Sequence, residues 1–377
     1  MAPSSNRPRL AFVDVARVVA MLLMVQGHVC DTLLLPALKE TSFFAGYWTF
    51  RGLTAPLFFA LAGFAFVIAS DSSWEALRSP GPKLTARLRR CVALMAAGFF
   101  LQIPRWHGWP PFDLTAEEWR YVLRCNVLHC VALSVLFTHG LLAVTGTRRT
   151  FTLAAIACGL LAILLAPPLT AMELPTSLPI VFALVVRTNE GSLFPVFPWL
   201  AHFLFGATLA RLHLDVPALA TARRLGALLA VAGPLLLAFG SLCRALDPAR
   251  VTAPGYWTTD ASLVMTRAGG AWCFIAAVAL LFGKLQTSPR LLQEISARSL
   301  SVYVLHLMIL WGPPTLPGLV HRVGPTLSLA QAFCMGPLVL VASAAISIAA
   351  AQLLAALQRR REGLKGRVPG LDGGSTA

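Results

Sequence analysis

Apolar residues along this chain come in long blocks, not in alternating pairs or narrow helical stripes. Blocks of about 20 residues suit helices that cross a bilayer. They are too long and too uniformly apolar for barrel strands. In lipid, a chain satisfies its backbone polar groups only as helices or as a closed barrel. The pattern therefore predicts an all-α polytopic transmembrane bundle of about ten membrane helices. They fall near Leu10–Leu35, Leu53–Ala69, Cys91–Ile103, Val127–Val144, Phe151–Met172, Phe194–Leu212, Leu225–Cys243, Met265–Phe282, Leu300–Trp311 and Leu329–Leu357. The third and ninth are short and borrow flanking residues. Leu174–Val186 is apolar but too short to span, and reads as a re-entrant or interfacial segment. The opening MAPSSNRPR is basic, and the apolar block after it runs too far for a cleaved signal segment. Residues 1–9 read as a cytoplasmic segment, 10–357 as one membrane domain and 358–377 as a basic, disordered cytoplasmic tail.

Composition agrees: 57% of the 377 residues are hydrophobic and only 12% charged, where a soluble domain carries about 25% charged. The net charge of +15 raises the question of nucleic acid, and its distribution answers it. With the N-terminus cytoplasmic, the inner segments hold 20 of the 31 lysines and arginines against six acidic residues. The outer segments hold ten against eight. That is a positive-inside signal placing both termini in the cytoplasm, and no nucleic-acid partner is expected. Trp48, Trp106, Trp109, Trp119, Trp199, Trp257 and Trp311 fall at the outer ends of the spans, where amphipathic rings favour the headgroup level. The eight cysteines show no metal spacing and no metal is expected. Cys125 and Cys130 are close enough in sequence to make a disulfide an option.

Ionisable residues inside a span are costly and usually functional. The first span runs DVARVVAMLLMVQGHVCD, Asp14 to Asp31. Arg17 and His28 stand eleven residues apart, three turns and about 16 Å along the axis. Asp14, Arg17, Met21, Met24, His28 and Asp31 form one stripe. Asp14 and Arg17 lie toward the cytoplasm, suited to an anionic co-substrate; His28 lies in the outer half, suited to proton chemistry. The structural alternative is an i,i+3 pair between Asp14 and Arg17 with His28 a satisfied interior histidine. His129 and His202 sit at about the depth of His28, either lining the acceptor side or satisfied internally. His306 lies mid-span in the ninth helix, while His107 and His321 belong to outer loops. In KLTARLRR, Arg87, Arg89 and Arg90 bind coenzyme A phosphates or lipid headgroups, or serve as a positive-inside anchor. Asn126 and Arg124 hydrogen-bond an acceptor or cap the fourth helix. Gly27 admits a substrate or a packed neighbour.

An arginine, ten residues, then a histidine in the first helix resembles the motif of the type-3 membrane acyltransferases, which acylate bacterial surface sugars. The wider pattern resembles the bacterial relatives of heparan-α-glucosaminide N-acetyltransferase. It is carried by Phe12–Asp31, Gly52–Gly63, Asn126–Leu136 (NVLHCVALSVL), Phe194–Leu212 and Ser299–Leu310. The resemblance implies that acetyl-CoA, or another acyl-CoA, enters from the cytoplasm. Its acyl group then passes to a hydroxyl or amine of a sugar or glycolipid on the outer side. Arg17 would hold the coenzyme end, and His28 would serve as general base or acyl carrier. Asp31, one turn beyond, would orient the imidazole. Asn126, His129, His202 and His306 would meet the acceptor. One departure stands out: the animal enzyme's proposed catalytic histidine lies in the loop after the first helix, and here Leu35–Arg51 contains none. The expected setting is the bacterial cytoplasmic (inner) membrane. The oligomeric state is open, a homodimer included. The rival reading is a secondary transporter or lipid flippase using the same buried Arg, Asp and His.

Overall fold

A computed structural model describes residues 10–103, 114–172, 180–187, 191–249, 259–313 and 315–365. The segments expected at 1–9 and beyond 365, together with Trp106, His107, Trp109 and Trp257, lie outside the described residues. Ten principal helices follow one another: α1 (Ala11–Leu33), α2 (Thr54–Asp71), α3 (Pro82–Gln102), α4 (Val127–Val144), α5 (Arg148–Ala171), α6 (Val196–Asp215), α7 (Ala222–Leu246), α8 (Ala261–Phe282), α9 (Ser299–Trp311) and α10 (Leu329–Lys365). Each coincides with one expected block. Seven membrane-length apolar helices are present among the described residues. They comprise α1, α4, α5, α7, α8, α10 up to Arg360, and α2 taken with the helix Ser42–Arg51 before it. The other three fall short: α3 opens on the run KLTARLRR, α6 carries His202, Arg211, His213 and Asp215, and α9 has 13 residues. Of the short apolar segment expected at Leu174–Val186, Ile180–Val186 is described, as a short helix. The last helix does not break at Leu357 but continues through the basic flank to Lys365.

The chain is an integral membrane protein. Leu160, Leu164, Val231, Leu235, Leu338 and Val341 all face outward from α5, α7 and α10, a distribution that suits lipid and not water. α1 is the opposite case. It is heavily buried and packs against α2, α8, α9 and α10, so its polar stripe looks into protein. Its far end is fixed by backbone pairing: Leu35 N–H donates to Leu327 O at 3.0 Å and Leu327 N–H to Leu33 O at 2.8 Å. The Gln26 side-chain amide adds a bond to Ala332 O at 3.0 Å.

α2 and α6 touch backbone to backbone. Any Cβ at Gly206 would strike the Ala60 carbonyl, and one at Gly63 the Phe203 carbonyl. Small residues at such crossings let membrane helices associate by close packing. Gly206→Ala should therefore destabilise the fold by about 1–3 kcal/mol, read as a lower melting temperature in detergent. An unchanged melting temperature would mean that the crossing tolerates separation.

The tryptophan belt is only partly an interface feature. Trp48 and Trp119 are exposed, but Trp199 is buried against Phe59 and Phe194. Trp311 turns inward onto His28. Both rings do more by filling the bundle than by meeting headgroups. Cys125 and Cys130 are free thiols.

Candidate active site

His28 sits within two turns of the end of α1, held in place by the anchors at Gln26 and Leu33. Its ring stacks on His306, centroids 5.4 Å apart and planes at 30°. Trp311 meets it edge to face at 5.6 Å. His306 Nδ1 lies 3.1 Å from the Val302 carbonyl, which can only accept, so the proton is assigned to Nδ1. His306 Nε2 is then a buried lone pair, and among the described residues no hydrogen-bond partner meets it. Among the described residues, no protein group hydrogen-bonds the His28 ring either.

Two cavities of about 620 and 370 Å³ open beside this pair. His28, Val127, Leu193, Phe194 and Tyr303 line both. The larger also meets Gln102, Arg124, Asn126, Trp311 and His321. The smaller reaches Met24, Trp48, Arg51, Trp199 and Arg267. His28 is thus one of five described residues common to both chambers, and the one among them that carries a ring nitrogen.

Asp31 does not orient His28. Both of its carboxylate oxygens accept from the two terminal nitrogens of Arg51 in a bidentate pair. That geometry satisfies the carboxylate more fully than one imidazole N–H would. Arg51 in turn lies over the Trp48 ring at 4.6 Å. Gly27 makes its room: a Cβ there would run into the Arg51 guanidinium. A double-mutant cycle on Asp31→Asn and Arg51→Gln should return a coupling of about 0.5–3 kcal/mol in thermal stability. Additive losses would show the pair to be inert.

The remaining sequence candidates divide. Asn126 lines the larger cavity and also caps α4, its Oδ1 accepting from Leu128 and His129 N–H at 2.9 and 3.2 Å. His129 is a structural histidine. Its Nδ1 faces the Asn126 N–H at 3.3 Å, its Nε2 the Met95 carbonyl at 3.1 Å, and Phe99 packs on the ring. With both nitrogens engaged and the ring buried between α3 and α4, it does not reach the acceptor side. His202 is buried against Trp199 and lines neither cavity. Arg87 is turned inward, donating to Ser70 Oγ at 2.8 Å and lying 3.2 Å from His139 Nδ1. It braces α3 against its neighbours, while Arg89 and Arg90 remain exposed. Asp14 is buried and accepts from Ser288 Oγ at 2.8 Å. Arg17 is half-buried on the same unbroken helix as His28.

Four site residues were not legible as such: Arg51, Arg267, Tyr303 and Trp311. Arg267 had one available signal. α8 begins at Ala261, not Met265, which puts this arginine nearly two turns inside a membrane-length helix.

The model of one protein family, described as heparan-alpha-glucosaminide N-acetyltransferase, catalytic, matches residues 9–239. The chain belongs to that family. No curated protein matches it. The acetyltransferase match takes in α1 to α6 and most of α7, hence His28, Arg51, Arg124 and Asn126. The opposite wall of the cavities, from Arg267, Tyr303 and Trp311, lies beyond the matched stretch. The protein is a membrane acetyltransferase, and residues from the family-matched stretch and from beyond it line the same two cavities beside His28.

Proposed function

We propose that the protein moves an acetyl group from cytoplasmic acetyl-CoA to the amine or hydroxyl of a sugar or glycolipid held outside the bacterial cytoplasmic membrane. The observation that carries this reading is the His28 ring, which no protein group hydrogen-bonds among the described residues and which borders two chambers. The coenzyme end binds near Arg17, and the exposed Arg89 and Arg90 attract its phosphates or the headgroups around them. The 16 Å or so between Arg17 and His28 along α1 is crossed by the pantetheine arm.

The acceptor occupies the larger cavity. As its amine or hydroxyl attacks the thioester carbonyl, His28 takes the proton. A C–N or C–O bond forms. Collapse of the tetrahedral intermediate breaks the C–S bond, and the departing thiolate recovers the proton from the imidazolium. Arg51 and Arg267 flank the smaller chamber, where cationic groups stabilise the oxyanion. Asp31 is the positioning residue for Arg51. His306 braces the face of the His28 ring.

Incubation of the purified protein with acetyl-labelled acetyl-CoA and glucosamine tests the reading. The expected result is label in the sugar and release of free coenzyme A. Protein that neither binds nor turns over acetyl-CoA, but moves solute or lipid across vesicles, would overturn it in favour of transport.

A further inference from the structure

Arg124 follows the short helix Ala116–Leu123 and lines the larger cavity with His28. Among the described residues its guanidinium makes no hydrogen bond and no ion pair, and its Nε is sealed from solvent with no partner. No aspartate or glutamate occurs among the described residues lining that cavity. A guanidinium half-removed from water without a counter-charge is costly, and it is stable there if a ligand supplies the charge.

The seat of this arginine is built. Tyr121 lies under the guanidinium, 5.1 Å from its Cζ to the ring centroid. Gly191 closes in from another direction with φ +94°, and a Cβ there would come within 2.9 Å of the Arg124 Cζ. Glycine suits that position twice over, by its backbone angle and by the space it leaves. The Gln102 side-chain amide donates to the Val122 and Arg124 carbonyls at 2.6 and 2.9 Å. Cys125 N–H donates to Ser192 Oγ at 2.9 Å, and Phe194 N–H to Cys125 O at 3.2 Å. Backbone on both sides of the side chain is therefore pinned. The cation is held ready by packing and backbone bonds, with its donors unspent.

We propose that Arg124 is an anion subsite of the acceptor cavity. It receives a carboxylate, sulfate or phosphate group carried by the acceptor sugar, and so sets the acceptor's nucleophile beside His28. The planar fork of donors matches such groups in bidentate fashion, which a lysine cannot reproduce. This rests on the acceptor occupying the larger cavity, as argued above.

The test is equilibrium binding to the full-length purified protein, read by tryptophan fluorescence. The probes are glucosamine, glucosamine 6-sulfate, glucosamine 6-phosphate and glucuronate, against wild type, Arg124→Ala and Arg124→Lys. At least one charged sugar should bind wild type about tenfold or more tighter than the neutral one. Arg124→Ala should erase that preference, and Arg124→Lys should restore only part of it. The sulfate, phosphate and carboxylate arms identify which group is read. Equal binding of charged and neutral sugars to wild type, or a preference that survives in Arg124→Ala, would overturn the subsite. Where Arg124→Ala is not monodisperse, Arg124→Gln replaces it, and the wild-type ratio already decides. Transfer from labelled acetyl-CoA is followed in parallel. Transfer without charge preference would overturn the Arg124 subsite alone. Charge-selective binding without transfer would overturn the enzyme reading alone.

Discussion

Replacing His28 with alanine should lower kcat for acetyl transfer by about 10²–10⁴-fold, the usual loss when a positioned general base is removed. The folded protein should survive the change. The ring is half-buried at the cavity wall, and its loss breaks no protein hydrogen bond among the described residues. What disappears is packing against His306 and Trp311. His28→Gln sharpens the test because it keeps a polar side chain of similar reach but no titratable nitrogen. It should be nearly as slow as alanine, with acetyl-CoA binding retained. A glutamine variant within about threefold of wild type, well short of the loss expected for a general base, would show that His28 organises the cavity without handling the proton.

The largest effect on stability should come from a different place. At the end of the bundle that carries Asp14 and Arg17, Arg211 on α6 is 1% exposed. Its Nη1 donates to Asp71 Oδ1 at 2.6 Å and its Nε to Asp215 Oδ2 at 2.9 Å. Arg148 adds a second contact to Asp71 at 3.3 Å. This network ties the ends of α2, α5 and α6 together. A buried pair of this kind contributes less than its Coulomb energy suggests, because both ions had to leave water. Removing one partner is another matter, since it strands a charge, at about 3–5 kcal/mol. Arg211→Met should therefore abolish or sharply reduce recovery of monodisperse protein. Asp71→Asn combined with Arg211→Met should recover part of the loss, because the deeply buried carboxylate is then removed with its partner, and the charges left behind, Asp215 and Arg148, are 40% and 49% exposed. A single Arg211→Met variant that melts within about 2 °C of wild type, a shift worth about 1–2 kcal/mol in a chain of this size and short of the cost of a stranded charge, would show the network to be dispensable.

The fold was legible wherever the signal is local. Each of the ten apolar blocks falls on a helix among the described residues, and seven of those helices are long and apolar enough to cross a membrane, a property that needs only composition and length. The α1 stripe was readable for the same reason: Asp14, Arg17 and His28 are related by helical phase alone, and α1 runs unbroken through them. What needed the structure was everything between elements. Asp31 finds Arg51 twenty residues away, so one-turn spacing to His28 gave the wrong partner. His129 and His202 share the depth of His28, but depth does not say which way a ring faces. Both look into helix packing. Trp199 and Trp311 sit where interface tryptophans sit, yet their rings turn inward. Arg267 fell at the very edge of the expected span Met265–Phe282, and the four further residues of helix from Ala261 move it from that edge to nearly two turns inside.

The central claim is that the acetyl donor and the acceptor reach His28 from opposite ends of the bundle. Proteoliposomes with the protein inserted in one orientation test it most directly. Labelled acetyl-CoA is supplied only on the face carrying Arg17, Arg89 and Arg90, and the amino sugar is sealed on the other. The account predicts acetylated sugar accumulating on the sealed side, with free coenzyme A left outside and no product in His28→Ala vesicles. Product that forms only when donor and acceptor share one compartment would contradict it.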